Sequence, residues 1–359
     1  MGAQGKPISL LSRFLIHLRL LLIPLAALWW LVAVLRVWAY QRGFLKSLHP
    51  AGPTVSIGNI SAGGTGKTPF LFWMLSELEK RSVRCGVLSR GYGGDEGRML
   101  DARFPNVALA EGADRVAGMH RLAALEQDIA PEVYLLDDGF QHQRLQRDFD
   151  FVLVDATQPF GLCLPAGNFR ESASSLRRAQ IIILTRATQV SEASREKIWA
   201  KIDQATQTIQ PRIEGDVFLS GIFTVDDGRL IADACAAADW LKGRKVRLAA
   251  GIGNPESFRS LVEHEGAFVQ STHWLKDHAP WSDADVKGLD GLVPVLVTEK
   301  DGVKLRGRVP QEVYEVRVDW RFTQGADAAE KRLDEVVLPV RASKIEPLWA
   351  AIDPGGDAC

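Results

Sequence analysis

Cysteine is scarce in this chain of 359 residues: there are four, Cys85, Cys163, Cys235 and Cys359, and no two fall in a CxxC spacing. That excludes a zinc knuckle and a disulfide framework, and scattered thiols fit a reducing compartment. Internal repetition is absent, so a solenoid is excluded. Gly 32 and Pro 17 show no period, which excludes collagen-like and low-complexity chains. Acidic residues are missing from the whole head of the chain, the first being Glu77. The first fifty residues instead carry Lys6, Arg13, Arg19, Arg36, Arg42 and Lys46. The net charge of −1 therefore hides a head of +6 on a body of −7. An apolar, basic head points to anionic lipid, worth about 1 kcal/mol per basic residue near the surface, rather than to nucleic acid. What remains is ordinary: 46% hydrophobic and 24% charged residues exclude wholesale disorder. The length suits about two domains of ordinary size.

Residues 20–35, LLLIPLAALWWLVAVL, are uncharged and bracketed by Arg19 and Arg36. As a helix they reach roughly 24 Å, short of a hydrocarbon core of about 30 Å. Extension to Phe14–Tyr40 reaches the length but takes in His17 and both arginines, which could snorkel. Positive charge is equal on the two flanks, so it assigns no orientation. An interfacial helix, a span and a buried core helix all stay open. A cleaved signal peptide is not expected, because no small-x-small site follows the apolar run.

After the breaker cluster His49–Pro53 the pattern changes. Short continuous apolar runs recur at Thr54–Ile57, Cys85–Leu88, Val107–Ala110, Val133–Leu136, Phe151–Val154 and Ile181–Leu184. Such runs suit parallel strands covered on both faces. Helical stretches such as Pro69–Arg81 and Asp114–Asp128 lie between them, the rhythm of a doubly wound α/β sheet. The style resumes with strands at Val246–Ala250, Ala267–Gln270 and Val293–Thr298 and a helix over Pro255–Glu265. Gly215–Asp226 and Val313–Asp319 alternate and are read as a pairing ribbon. The expected organisation is a membrane-associated helix over 1–50, a P-loop core over 51–214, a linker ribbon over 215–234, a smaller α/β domain over 235–345 and a tail over 346–359, frayed from Asp353 to Cys359.

The sharpest motif is Ser56–Pro69, a Gly-rich turn between a predicted strand and a predicted helix. Ser61, Ala62, Gly63, Gly64, Thr65, Gly66, Lys67 and Thr68 are the candidate nucleotide-binding residues. Their amides and the helix N-terminus suit a phosphate, Lys67 would reach the β- and γ-phosphates, and Thr68 would place a hydroxyl on Mg²⁺. Ser61 stands where the P-loop pattern has glycine. Val133–Asp138 is an apolar strand ending in two carboxylates, as a metal site beside a P-loop requires. Either Asp137 or Asp138 is a candidate metal ligand with Thr68. Arg90, Asp155 and Thr185-Arg186 also follow predicted strands, and ligands of open α/β sheets bind beyond the strands' carboxyl ends. Taken singly, each would more often be a structural ion pair.

Taken together the motifs resemble the tetraacyldisaccharide 4′-kinase family, the lipid A 4′-kinases. Arg42-Gly43, Ser56–Pro69, Ser89–Gly93, Asp137–His142, Pro159–Gly161, Leu164–Glu171, Ala250–Pro255, Asp277-His278 and Thr298–Lys304 carry the resemblance. It implies transfer of the γ-phosphate of ATP, with Mg²⁺, to the 4′-hydroxyl of a tetraacylated glucosamine disaccharide 1-phosphate. It also implies a P-loop NTPase-like sheet with a second α/β domain, and work at the cytoplasmic face of a bacterial inner membrane. No protein or nucleic-acid partner is implied. Gly94–Leu100 is similar to the element holding the family's catalytic Asp, which makes Asp95 the candidate, although Gly97 replaces a proline and an insert is missing. His278 is its candidate partner, and Lys67 acts with them. The plainer alternatives are an exposed acidic turn for Asp95 and a structural histidine for His278. The resemblance further implicates Arg90, His142, Arg170, Glu171 and Lys300 in touching substrate or supporting residues that do. Arg36 or Arg42 could meet the acceptor's 1-phosphate. Two rival classes remain: a membrane-attached GTP switch, against which Thr298–Asp301 has the wrong spacing for guanine, and a noncatalytic scaffold with a degenerate loop.

Overall fold

The computed structural model describes residues 21–91, 94–309 and 312–350. Lys6, Arg13, Phe14, His17, Arg19, Tyr92, Gly93 and the tail from Asp353 to Cys359 lie outside the described residues. The chain enters on helix α1 (Ile23–Gln41). It then alternates through β1 (Thr54–Asn59), α2 (Lys67–Lys80), β2 (Cys85–Ser89), α3 (Asp95–Arg103), β3 (Ala108–Glu111), α4 (Arg115–Ala123), β4 (Val133–Asp137), β5 (Phe149–Asp155), β6 (Ile181–Thr185) and α5 (Glu192–Thr206). There follow β7 (Glu214–Thr224), β8 (Leu230–Asp233), α6 (Ala237–Leu241), β9 (Lys245–Ala250), α7 (Pro255–His264), β10 (Phe268–Trp274), α8 (Asp283–Lys287), β11 (Val295–Thr298), α9 (Glu299–Leu305), β12 (Val313–Gln324) and α10 (Ala326–Ala350).

Eleven of these strands run side by side in the order β10-β9-β11-β12-β7-β6-β5-β1-β4-β2-β3, and β8 pairs with β7. The pairs are parallel on both sides of the middle, while β7 runs antiparallel to β12 and β8. The apolar runs dictate this arrangement. Ile57, Phe151, Leu153, Ile181 and Ile183 point to one face, where Phe70, Leu75 and Leu78 of α2 cover them. Val152, Val154, Ile182 and Leu184, the alternate positions, point to the other, under Trp199 and Ile202 of α5. A strand buried on both faces cannot alternate polar and apolar, which is why its sequence reads as one continuous run.

β1 lies between β4 and β5, with Ile57 opposite Asp137 on one side and Phe151 on the other. The chain leaves β1 toward β2 and later returns to β5 on its other flank. That reversal opens a crevice at the carboxyl end of β1, where the Gly-rich turn sits.

Several boundaries differ from the sequence reading. Helix α4 ends at Ala123 instead of running to Asp128, and the Ala124 amide closes it by donating to the His120 and Leu122 carbonyls. Asp114 caps it, accepting from the amides of Val116 and Ala117. The two alternating segments do pair, from Tyr314 opposite Thr224 to Gln324 opposite Glu214. At 12 residues β12 extends about 40 Å and carries the chain back across the sheet. Consequently Ala329, Leu333, Val336, Val337 and Val340 of α10 pack into the cluster of α2 and β1, although the sequence grouped them with the smaller unit.

Helix α1 stands apart. Only Ala26 is buried, while Leu25, Leu28, Trp29, Trp30, Leu31, Val32, Leu35 and Trp38 are exposed. Its best 18-residue window has a mean hydropathy of 1.6, and its 19 residues reach about 28 Å. Such an apolar surface left open to water is costly, at roughly 25 cal/mol per Å². Two indoles tie it to the body: Trp29 Nε1 donates to the Arg170 carbonyl at 3.0 Å and Trp30 Nε1 to Ser172 Oγ at 3.2 Å.

Candidate active site at the carboxyl edge of the sheet

The Gly-rich turn leaves β1 and enters α2 through Gly66, whose φ of +85° lies in the left-handed region. A side chain there would be strained, and glycine is not. Gly63 and Gly64 stand exposed at the mouth, whereas Thr65 is buried and accepts from Asn59 Nδ2 at 3.0 Å. Ser61 bridges to Phe169, and the Ala62 amide donates to the Asn168 carbonyl at 2.7 Å. The segment 168–170 thus braces the near side of the loop. Ser61 has a structural place there, where the sequence pattern has glycine.

Lys67 opens α2 and places its ammonium 3.4 Å from Asp138 Oδ1. Arg170 Nη1 approaches the other oxygen of Asp138 at 2.6 Å and Gln141 Oε1 at 3.4 Å. Burial resists ionisation of Asp138, but Lys67 and Arg170 outweigh it and hold the carboxyl below its ordinary range. Asp137 behaves differently. Burial first, then the Glu96 carboxylate, pushes its carboxyl up to about 7 against the pull of Lys67. Thr68, Ser89, Glu96 and Asp137 line one narrow cavity. That is an all-oxygen donor set of the kind a hard divalent cation takes. Among the described residues no cluster of three His, Cys, Asp or Glu holds a metal unaided. The arrangement suits an ion that arrives with phosphate oxygens.

Asp95 is the first residue of α3 and only 3% exposed, so it is no exposed acidic turn. Its Oδ2 lies 3.3 Å from His278 Nδ1 and 2.8 Å from Lys304 Nζ. Asp95 and His278 are 183 residues apart in sequence, and the two halves of the sheet deliver them to one point. Lys300 sits one turn from Lys304 on α9 and reaches His278 Nε2 at 3.2 Å and Asp277 Oδ1 at 3.1 Å. Asp138 (φ +51°), Arg186 (φ +54°) and His278 (φ +59°) all hold left-handed backbones without being glycine. Strain of this kind persists where the surroundings over-determine a conformation, commonly at functional sites.

Other expected residues are placed less directly. Glu171 is engaged by Arg178 at 2.7 and 3.0 Å, and Arg178 lies over the Phe140 ring. That triad supports the wall from behind. His142 is half-buried; burial first, then Arg115, Arg147 and Arg36, push it down to about 4, so it is neutral at pH 7. Arg90 is exposed beyond β2. Thr298 caps α9, and Asp301 accepts from the Gly251 amide, Thr298 Oγ1 and Trp281 Nε1. Asp301 is fully buried in these contacts and has no free edge for a guanine base.

Sequence reasoning left Lys304, Glu96 and Gln141 out of the site, and placed Arg186 only at the ligand edge of the sheet. Lys304 could have been found, since a second lysine four residues after Lys300 shares its helix face. Arg186 pairs with Asp155 and donates to the Gly64 carbonyl at 2.8 Å, a contact that needs the fold.

The family model described as Tetraacyldisaccharide-1-P 4'-kinase matches residues 18–96 and 93–338. The Tetraacyldisaccharide 4'-kinase of Chlorobaculum tepidum is 33% identical over 316 residues, covering 80% of this chain and 86% of that protein. The protein of the same name from Geobacter sulfurreducens is 34% identical, covering 87% of this chain and 92% of its own length. A crystal structure of LpxK from Aquifex aeolicus in complex with ATP superposes with a TM-score of 0.71 at 26% identity, covering 89% of this chain and 99% of that one.

Proposed function

The chain belongs to the tetraacyldisaccharide 4′-kinase family, a phosphotransferase of lipid A biosynthesis, and from that premise we propose how its own residues perform the transfer. The substrates are ATP and the 4′-hydroxyl of a tetraacylated glucosamine disaccharide 1-phosphate. The triphosphate lies along residues 61–68, with Lys67 against its terminal phosphoryl oxygens. Thr68 and Asp137, with Glu96 nearby, are the residues that would hold Mg²⁺. That ion supplies positive charge to the phosphate oxygens when bound. Asp138 is already engaged by Lys67 and Arg170, so its part is to hold those two cations in place.

Asp95 takes the proton from the 4′-hydroxyl as the new O–P bond forms and the bond from the γ-phosphorus to the bridging oxygen breaks. His278, on Asp95 Oδ2, orients the carboxylate. The observation that carries this reading is the meeting of Asp95 and His278 at 3.3 Å, one residue away from the cavity that Thr68 and Asp137 share. A neighbouring histidine and a buried carboxylate give a proton acceptor of defined direction, worth typically 10²–10⁴-fold in rate.

The acceptor's four acyl chains keep it in a bilayer, so the enzyme must come to it. Helix α1, apolar on almost its whole surface, lies in or on the cytoplasmic face of the inner membrane and delivers the site to the lipid headgroups. The test is incubation of the protein in mixed micelles with γ-labelled ATP, Mg²⁺ and the tetraacyldisaccharide 1-phosphate. Label should enter the glycolipid, ATP should be preferred to GTP, and Asp95→Asn should slow transfer by about 10²–10⁴-fold. Hydrolysis that runs equally fast without acceptor would defeat the reading.

A further inference from the structure

Helices α3 and α9 come from opposite halves of the sheet and lie antiparallel, joined by an ion pair at each end. At one end Asp95, the first residue of α3, meets Lys304 near the end of α9 at 2.8 Å. At the other end Arg103, the last residue of α3, meets Glu299, the first of α9. That second contact is bidentate, with Nε to Oε1 at 2.6 Å and Nη2 to Oε2 at 2.7 Å. The Arg103 guanidinium also pairs with Asp319 of β12 and lies 4.9 Å from the centre of the Phe72 ring of α2. One side chain therefore touches the helix that follows the phosphate loop, the central ribbon and the helix of the second half. Glu299 is buried, with Arg317 Nε 3.6 Å from it.

We infer that Arg103 and Glu299 are positioning residues for phosphoryl transfer, a clamp that sets the distance between Asp95 and His278 by fixing α3 against α9. This rests on the reading of Asp95 and His278 as the reacting pair. Neither clamp residue is placed to touch substrate. They act through the two helices, one carrying Asp95 at its start and the other carrying Lys300, which holds His278. A planar fork matched to a carboxylate fixes both distance and angle between two helices, which a single ammonium contact does not. Between the ends, a Cβ on Gly302 would stand 2.3 Å from Glu315 Oε2, so α9 lies close against β12 of the ribbon. Small displacements of a reacting group carry large rate penalties, so a loosened clamp lowers turnover while the phosphate loop, which it does not form, still binds nucleotide.

The test uses the full chain in mixed micelles, with Glu299→Gln and Arg103→Lys. The readouts are kcat, KM for ATP, and the distance distribution between spin labels at two exposed positions, Ile129→Cys and Leu292→Cys, with Cys235→Ser and Cys359→Ser. Glu299→Gln should lower kcat about tenfold or more, leave KM for ATP within about twofold, and broaden the interlabel distribution. Arg103→Lys, which keeps the charge and loses the fork, should fall between wild type and Glu299→Gln in both readouts. Lost turnover with an unchanged distribution, or a broadened distribution with full turnover, overturns the clamp. If Glu299→Gln fails to fold, Arg103→Lys carries both readouts by itself. If Asp95→Asn proves fully active, the reacting pair has been misassigned, and the distribution alone still decides whether Arg103 and Glu299 join the two halves.

Discussion

Trp29 donates its indole N–H to the carbonyl oxygen of Arg170 across 3.0 Å, and the guanidinium of that same Arg170 holds Asp138 at 2.6 Å. A single residue thus links the apolar helix to the Lys67–Asp138 pair. Replacing Trp29 by Phe keeps the ring and removes the donor. A hydrogen bond of this kind is worth about 1 kcal/mol, so kcat/KM for the lipid acceptor should fall roughly fivefold. KM for ATP should stay unchanged. Steady-state kinetics with each substrate varied in turn checks this, and equal losses for both substrates would contradict it.

Lys67→Ala removes the ammonium beside the phosphate loop. Loss of a preorganised charge aimed at the migrating group typically costs about 10²–10³-fold in turnover. The variant should also leave Asp138 held by Arg170 without Lys67. Turnover near wild type would overturn the loop assignment.

Asp95→Asn and His278→Ala should each lower kcat, and the double variant should be hardly slower than Asp95→Asn alone. Residues that act as a unit give non-additive losses. Independent, multiplicative losses in a double-mutant cycle would show that the two do not act together.

The pH dependence of stability in the metal-free protein should carry two opposite slopes. Asp137 keeps its proton up to about 7 when folded and only to the ordinary carboxylate range when unfolded. The folded state therefore binds more protons between about pH 4 and 7, and stability falls as pH rises through that window. His142, held near 4, works the other way: the unfolded state binds the extra proton, so stability falls as pH drops from about 6.5 toward 4. The two largely offset each other in the wild type, so Asp137→Asn should raise Tm at pH 8 and leave stability rising from about pH 4 to 6.5, while His142→Gln should leave it falling from about pH 4 to 7. Urea midpoints from pH 4 to 8 without divalent cation measure both, and unaltered profiles would refute the assignment.

Leu333→Ala should destabilise the protein by about 2–5 kcal/mol, since it empties a fully buried position of α10. Because Leu333 packs with residues of α2 and β1, the loss should appear in a single unfolding transition that includes the phosphate loop. A near-neutral change would mean that α10 does not pack on that core.

β1, β2, β4, β5 and β6 were legible because each is buried on both faces, which leaves a continuous apolar run. β1 with residues 61–68, and β4 with Asp137 and Asp138, are of that kind. Helix α3 was not legible. Its run Asp95–Arg103 is polar, and it is helical because Met99 and Leu100 pack on the core and its two ends are tied to α9. Helix α10 was hidden for a related reason: its partners precede it by some 250 residues, and no local signal says on which unit it will settle.

The sequence by itself determined the α/β class, the Gly-rich turn at the carboxyl end of β1 and the apolar basic head, since these depend on local periodicity, backbone freedom and charge. Tertiary structure alone decided that Asp138 is held by Lys67 and Arg170 while Asp137 faces Thr68. It also decided that Asp95 shares one oxygen with His278 and Lys304. Those pairings join residues tens to hundreds of positions apart, and only the order of strands in the sheet determines which side chains meet.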